Sequence, residues 1–282
     1  VAVLTNVGLD HTRLLGTERG VIAREKSGII KPGATVVTGE RSPEILSVIG
    51  DSAAEAGAEL SCIDRDFGVT DGSVAIGGRH LSLRTSARGY EGLFLPLHGS
   101  HQAVNAAIAA EAVARFVPGR TLDDQVLAEG LAGASVPGRL EVARAGTDAT
   151  PAVVLDVAHN PDGASTLVKG LVETFTFDRI VFVLGILADK DYVGILRELS
   201  RLPCSVMATE PRSGRAVGAH DLEVAAEELG LSCEAIDDAT KAVDAATGAA
   251  SAGDLVCVTG SHYLVGEARP YIMRGPGQGR RG

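Results

Sequence analysis

The sequence lacks any apolar run approaching the roughly 18 residues that a membrane-spanning helix needs. It also shows no recognisable signal peptide. Cysteine is scarce: the four residues are Cys62, Cys204, Cys233 and Cys257, and three of them fall in apolar, strand-like segments. Their wide spacing fits neither a zinc site nor a disulfide framework. The sequence therefore predicts a cytoplasmic protein with reduced thiols in its core and no membrane partner.

Basic residues are also in deficit, with 26 Lys and Arg against 36 Asp and Glu, a formal net charge of −10. Nucleic acids and anionic membranes are bound through basic patches, so neither is expected as a partner. The short basic end "GPGQGRRG" is typical of a frayed terminus. At 282 residues and 45% apolar content, the chain is long enough for one large or two ordinary domains with a packed core.

Three familiar catalytic or phosphate-binding motifs are missing. The sequence contains no G-x-x-x-x-G-K-[ST] loop and no G-x-G-x-x-G after a strand. It also has no G-x-S-x-G segment, which argues against a serine hydrolase of that type. No reaction can be assigned from these common motifs.

The sequence pattern of the first half predicts alternating strands and helices. Val1 lies in a strand-like stretch and is not Met, so we expect the sequence to be part of a longer protein. Helices are predicted for "TERGVIAREKSGII" and for "SPEILSVIGDSAAEAGA", with Ser42 as N-cap and Pro43 at the first position of the second. Alternating polarity and "DG" and "GG" turns from about 59 to 98 predict short antiparallel strands. The helices "GSHQAVNAAIAAEAVARF", capped by Ser100, and "TLDDQVLAEGLAGA" follow.

A Pro-Gly break in "SVPGRLE" predicts a domain boundary, after which strands and helices alternate. The predicted strands are "AVVLDV", "RIVFVLGI", "PCSVMATE", "LSCEAI" and "DLVCVTG". Such continuous apolar strands favour a parallel sheet covered by helices on both faces, with ligands beyond the carboxyl ends of the strands. Four polar residues fall at or just past those ends: Asp156, Asp189, Glu210 and Ser261.

Several polar motifs of the first half are candidate functional sites, and each also has a purely structural interpretation. His11 in "GLDH" suits a divalent metal, or else belongs to a solvated turn. Lys26 is either a solvated residue on an amphipathic helix or a partly buried, reactive amine. His101 and Asn105 share one helix face, which either meets a ligand or faces solvent.

The second half has three further motifs of this kind. Arg139 in the predicted hinge can clamp phosphate oxygens or form a surface ion pair. "DVAHNPDG" (156–163) is either a metal site or a turn, and Gly260 beside Ser261 lets backbone N–H groups approach an anion. Together the loops predict a ligand site between two α/β units, with a metal and an anionic substrate as plausible occupants.

Seven segments in order resemble bacterial folylpolyglutamate synthase/dihydrofolate synthase, of the Mur ligase superfamily. They are "TNVGLDH", "IAREKSGIIKPG", "GSHQAVNAAIA", "PGRLE", "LDVAHNPDG", "LGILADKDY" and "VTGSHYLVGE". The resemblance implies an α/β protein in two parts. Residues 1–136 would be the remainder of a Mur-ligase-type ATPase domain with a small antiparallel β insertion. Residues 137–282 would be a Rossmann-like glutamate-ligase domain with a mostly parallel sheet.

The resemblance also implies the reaction. ATP phosphorylates the carboxylate of dihydropteroate or of a folate glutamyl chain, and the amino group of L-glutamate displaces phosphate from the acyl phosphate. Mg²⁺, and in addition a monovalent cation, are the expected cofactors. We expect a monomer that binds small-molecule substrates.

Residue roles follow from the same resemblance. His11 matches the histidine that ligates Mg²⁺, and Lys26 matches a lysine that is carbamylated in the superfamily. His101 and Asn105 lie in the motif that contacts the nucleotide, with Asn105 the expected adenine partner.

In the second part, Arg139 resembles the hinge arginine that reaches the ATP phosphates. Asp156 matches an acid that binds the ribose or nucleotide. His159 matches a catalytic residue near the incoming glutamate, and Ser261 lies in the motif on the glutamate side.

The chain departs from the family by lacking a "GTNGKGS"-type phosphate loop, a folate-binding loop and a metal-binding glutamate. We therefore expect this chain alone to be an inactive fragment, because nothing else in it replaces the phosphate cradle. Two alternatives remain open: another Mur-type amino-acid ligase, or a non-catalytic nucleotide-binding module.

Overall fold

The computed structural model describes residues 1–8, 18–117, 119 and 122–274. The chain divides into two units, Val1–Ser135 and Val136–Gly282. The division lies one residue before the boundary expected from the Pro-Gly break. Each unit builds its own sheets and cores.

The first unit contains a parallel sheet of order β1-β2-β3. Its strands are β1 (Ala2–Leu4), β2 (Thr35–Thr38) and β3 (Glu59–Cys62). Helices α1 (Arg19–Ser27) and α2 (Pro43–Glu55) pack on one face. Ser42 and Pro43 begin α2 as predicted, and Ile45, Ile49 and Ala53 place a buried stripe along it at four-residue spacing.

The second sheet of this unit is antiparallel, with order β4-β5-β6. Its strands are β4 (Gly68–Ala75), β5 (Gly78–Arg84) and β6 (Gly89–Leu95). The predicted antiparallel range of about 59 to 98 was too wide, because β3 pairs in parallel with β2. The "GG" pair turns the β4–β5 hairpin, with Gly77 at φ 76°. The "DG" pair instead lies within β4, beside an irregularity in its pairing with β5.

Helices α3 (Ser100–Phe116) and α4 (Asp124–Ala132) complete the first unit and pack with the antiparallel sheet. Ser100 was expected to cap α3, but the N-cap position belongs to Gly99, whose φ of 87° lets the chain turn sharply into the helix. Asp123 caps α4 by accepting hydrogen bonds from the N–H groups of Gln125 and Val126.

The second unit is built on one six-stranded sheet of order β11-β10-β9-β12-β8-β7, in which β7 alone runs antiparallel to its neighbour. The strands are β7 (Glu141–Arg144), β8 (Ala152–Leu155), β9 (Ile180–Leu184), β10 (Cys204–Ala208), β11 (Ser232–Ala235) and β12 (Leu255–Thr259). The helices are α5 (Pro161–Thr174), α6 (Tyr192–Leu199), α7 (Ala219–Glu228), α8 (Ala239–Ala249) and α9 (His262–Arg274).

Both faces of this sheet are buried, which explains its continuous apolar strands. Val154, Phe182 and Cys257 face α5, α6 and α7, whereas their strand neighbours Val153 and Val256 face α8 and α9. The predicted α/β class with a mostly parallel sheet is confirmed.

All four cysteines are free, and each lies in a strand. Burial raises the pKa of Cys204 and of Cys233 to about 11. These thiols are therefore protonated at neutral pH and act as core residues. Among the helices of the described ranges, none combines the length and apolar composition needed to cross a membrane.

Candidate active site

The candidate site lies at the carboxyl ends of β8, β12 and β9 in the second unit. β8 and β9 follow each other in the sequence but are not neighbours in the sheet, because β12 lies between them. Such a reversal of strand order opens a crevice beyond the carboxyl ends, where α/β sheets bind ligands. Asp156 follows β8 directly, and Ser261 comes two residues after β12.

Asp156 is buried, and both of its carboxylate oxygens accept backbone hydrogen bonds. Oδ2 accepts from the N–H of Leu140 at 2.9 Å, and Oδ1 from the N–H of Ala158 at 2.8 Å. Burial raises the pKa of Asp156, although these donors and the positive charge of Arg139 act in the opposite direction. Only 5% of the residue is exposed, and both carboxylate oxygens hold backbone N–H groups, so Asp156 positions the loop around it. Its contact with a nucleotide stays a prediction.

The loop that Asp156 holds is fixed by two further hydrogen bonds. The carbonyl of Gly138 accepts from the N–H of Val157 at 2.9 Å. The carboxylate of Glu141 accepts from the N–H of Gly138 at 2.8 Å and is held in turn by the guanidinium of Arg269. Gly138 and Leu140 both have positive φ, at 71° and 45°.

Arg139 stands between these two residues and is half-exposed. Within the described part of the chain it makes no hydrogen bond and no ion pair. A guanidinium carries five N–H donors in a rigid fork that matches phosphate and carboxylate oxygens. The locked loop therefore presents an arginine that suits an anionic ligand.

His159 lies in the same β8–α5 loop, and its tautomer is set by the backbone. Nδ1 lies 2.9 Å from the carbonyl oxygen of Val157, which can only accept. In the neutral ring Nδ1 therefore carries the hydrogen, and Nε2 is the basic nitrogen. The ring of His262 lies 5.4 Å from that of His159, centroid to centroid.

Asn160 and Pro161 serve the helix that follows. The side chain of Asn160 accepts from the N–H of Gly163 at 2.7 Å and caps α5, with Pro161 in its first turn. Ser261 plays the same part for α9, since its Oγ accepts from the N–H of Leu264 at 3.1 Å. Ser261 is buried, and Gly260 before it has a φ of 110°.

Two other acids predicted at strand ends also have structural partners. Glu210 is exposed and accepts from the N–H of Ala219 at 3.1 Å, at the start of α7. Asp189 lies 3.9 Å from Arg215, at the outer limit of an ion pair. Asp191, from the same "ADKD" segment, caps α6.

In the first unit, α3 brings three polar residues together. Asn105 is exposed, and its Nδ2 donates to Oε1 of Gln102 at 3.1 Å. Nε2 of Gln102 is 3.1 Å from Nε2 of His101. Lys26, in the last turn of α1, is exposed, so the partly buried alternative is not observed. His11 lies outside the described residues.

Residues 138–262 match the family described as Mur ligase, glutamate ligase domain. The dihydrofolate synthase/folylpolyglutamate synthase of Mycobacterium tuberculosis is 38% identical over 235 residues, covering 80% of this chain and 47% of that protein. The folylpolyglutamate synthase of Lacticaseibacillus casei is 32% identical, covering 98% of this chain and 62% of that protein. The chain belongs to the folylpolyglutamate synthase/dihydrofolate synthase family.

Solved structures of family members agree in fold. M. tuberculosis folylpolyglutamate synthase complexed with ADP has a TM-score of 0.90 at 35% identity, covering 98% of this chain and 64% of that one. E. coli FolC in complex with DHPP and ADP has a TM-score of 0.84 at 30% identity, covering 96% and 61%. The chain thus spans between about half and two thirds of these relatives' length.

Two residues of this family member had no predicted role. Gln102 joins His101 to Asn105, and its position three residues before Asn105 on a helix was a usable signal. The ring of His262, at the start of α9, lies beside that of His159, and no local signal links two residues so far apart in sequence. Partial burial lowers the pKa of His262, and the nearby His159 and Arg139 lower it further.

Proposed function

We propose that this chain is part of an ATP-dependent ligase that joins L-glutamate to dihydropteroate or to the glutamyl tail of a folate. One observation carries the proposal: Arg139 lies at the carboxyl edge of the sheet, in a loop fixed by Asp156 and Glu141, without an acceptor among the described residues. The sequence relatives named for this activity, and the ADP complexes of two structural neighbours, support it.

The reaction has two steps. A carboxylate oxygen of the acceptor attacks the γ-phosphorus of ATP, the bond to the β-phosphate oxygen breaks, and ADP leaves. The amine nitrogen of glutamate then attacks the acyl carbon, phosphate leaves with the bonding electrons, and the amine loses a proton. The first step turns a poor leaving group into a good one.

The second unit supplies the groups for anions and for the proton. Arg139 would bind phosphate oxygens with its fork of donors. Nε2 of His159 would accept the proton of the attacking amine, since the Val157 carbonyl holds the hydrogen on Nδ1. Ser261 begins α9, whose N-terminal end favours a carboxylate of glutamate.

The first unit would supply the remaining contacts. Asn105 and His101, joined through Gln102, would face the adenine and the rest of the nucleotide. The exposed amine of Lys26 is accessible for carbamylation. No group of three His, Cys, Asp or Glu side chains able to hold a metal occurs among the described residues. Magnesium would therefore depend on His11, which lies outside them, and would neutralise charge on the triphosphate.

The test uses the protein encoded by the complete reading frame. It is incubated with ATP, Mg²⁺ and L-glutamate, together with dihydropteroate or a folate, and released ADP is measured. We expect release only when glutamate and one acceptor are both present, with the acceptor gaining one glutamyl residue by mass. Absence of glutamate-dependent release with both acceptors would overturn the proposal.

The same assay separates the alternatives. Release that depends on a different amino acid and acceptor indicates another Mur-type ligase. Nucleotide binding in equilibrium dialysis without any ADP release indicates a non-catalytic module.

A further inference from the structure

A cavity of about 260 Å³ lies in the second unit between β7, α8 and α9. It is formed near the far ends of both helices. Thr247 is about 12 Å along α8 from its first residue, and Tyr271 about 13 Å along α9 from its own. Both helices begin at the edge of the sheet that carries the candidate active site, so the cavity lies towards the opposite edge.

Arg144 provides the positive charge of this cavity. One of its terminal nitrogens donates to Oγ1 of Thr247 at 3.3 Å. Its Nε is shielded from solvent and has no acceptor among the described residues. Because Nε is out of reach of a molecule in the cavity, an anion would have to bind elsewhere on the guanidinium. Within the described residues the bond to Thr247 is the one hydrogen bond of this side chain, so the other terminal nitrogen keeps its hydrogens for such an anion.

Asp244, an exposed residue of α8, provides a negative charge in the lining. Its Oδ2 accepts from the hydroxyl of Tyr271 at 2.6 Å, which fixes the carboxylate in place. Across the described ranges, no ion pair within 4.0 Å joins Arg144 to Asp244. The cavity thus keeps a cation and an anion apart instead of letting them neutralise each other.

Apolar side chains complete the lining. Val243 and Ile272 are buried at 2% and 5% exposure, and Gly248 contributes no side chain. The volume is below the roughly 300 Å³ at which pockets for drug-sized ligands begin. The occupant should therefore be a small molecule with two opposite charges and a short apolar part.

We propose that this cavity is a second binding site, which takes a small aliphatic α-amino acid as a zwitterion. The carboxylate would meet a terminal nitrogen of Arg144, the ammonium group would meet Asp244, and the aliphatic side chain would lie against Val243 and Ile272. The site goes beyond the proposed ligase activity, since it lies away from Arg139 and His159.

The test measures binding of L-leucine to the whole chain by backbone amide chemical shifts in ¹⁵N-labelled protein. We expect saturable shifts at Thr247, Gly248 and Tyr271. 4-Methylpentanoate, which lacks only the ammonium group, and isoamylamine, which lacks only the carboxylate, should bind at least tenfold more weakly. Arg144→Met and Asp244→Asn should each weaken L-leucine binding at least tenfold.

A matched pair of variants separates this cavity from the candidate active site. Gly248→Leu adds a side chain where a Cβ meets nothing within 4 Å, and it should block binding. Gly266→Leu adds the same side chain in open space on α9, outside the lining, and should leave binding unchanged.

Three outcomes would overturn the proposal. They are an absence of saturable shifts, equal binding of the single-charge analogues, and binding that Gly248→Leu leaves intact.

Discussion

Oδ2 of Asp156 accepts a hydrogen bond from the backbone N–H of Leu140 at 2.9 Å, which ties the end of β8 to the loop that presents Arg139. Leu140 has a φ of 45°, a conformation that non-glycine residues rarely adopt. The contact therefore holds a strained backbone in place. The acid of the "DVAHNPDG" motif positions the arginine through this loop.

Asp156→Asn should lower the free energy of unfolding by about 1–3 kcal/mol. An amide has a single carbonyl oxygen, so its NH₂ group would face the N–H of either Leu140 or Ala158. Urea unfolding of the chain measures the loss. Asp148→Asn, in an exposed loop, is the control and should change stability by less than about 0.5 kcal/mol. Equal midpoints for both variants would contradict the positioning role.

Gly138→Ala should destabilise the second unit by about 1–2 kcal/mol or more. The φ of 71° is strained for alanine, and a Cβ would lie 3.0 Å from Cγ1 of both Val157 and Val265. Gly266→Ala, in open space within α9, should instead stabilise by roughly 0.5–1 kcal/mol through helix propensity. Thermal unfolding distinguishes the two, and a shift of the same sign for both would refute the argument.

The six-stranded sheet could be predicted because strands buried on both faces are apolar throughout, as "IVFVL" of β9 is. Two elements of this unit were missed. β7 is a four-residue strand without a buried residue, so no apolar run marks it. α9 contains Pro270, which normally argues against a helix, yet the helix continues through it.

The positions of the site residues could be predicted, but their partners could not. Asp156, Glu210 and Ser261 do follow strands, and each uses side-chain oxygen to hold a backbone N–H. Capping a helix or loop and binding a ligand call for the same residue types at the same strand-to-helix junction. Only the structure shows which residues cap a helix or loop and which can bind a ligand. Arg139 belongs to the second group.

His262 should titrate below pH 6.5 and His220 above it. Partial burial, His159 and Arg139 lower the pKa of His262, whereas a hydrogen bond to Glu223 raises the pKa of His220. Imidazole proton NMR follows both rings, with His262→Gln and His220→Gln used for assignment. The neutral ring of His262 contributes stability that is present above about pH 6.5 and lost as the pH falls through its folded pKa. A higher midpoint for His262 than for His220 would contradict the ring arrangement.

Glu111→Gln should lower the stability of the first unit at pH 7 by about 2–3 kcal/mol. The carboxylate is buried and accepts from Ser61, from the N–H of Ser86 and from Arg115. Burial alone would raise its pKa, but these donors outweigh burial and hold the pKa below the ordinary 4.5.

The pH dependence of that loss follows from the sign of the shift. The contribution of the ionised carboxylate is present above pH 4.5 and is lost as the pH falls through the lowered pKa. The difference between Glu111→Gln and the parent chain should therefore shrink in acid. Exposed Glu55→Gln is the control, and a difference that stays constant down to about pH 3 would show that the pKa of Glu111 is not lowered in the folded protein.

Arg139→Gln should reduce glutamate-dependent ADP release by the complete protein about 10²-fold, because a charge-assisted fork of donors is lost where phosphate charge must be bound. Arg139→Lys should recover part of the rate, since an ammonium keeps the charge but not the paired geometry. Exposed Arg201→Gln should leave the rate unchanged. The two Arg139 variants should unfold close to the midpoint of the parent chain, because within the described residues Arg139 has no hydrogen bond or ion pair to lose. A full rate with Arg139→Gln would contradict a role of Arg139 in the reaction. The loop that carries it would then be a structural feature of the second unit only.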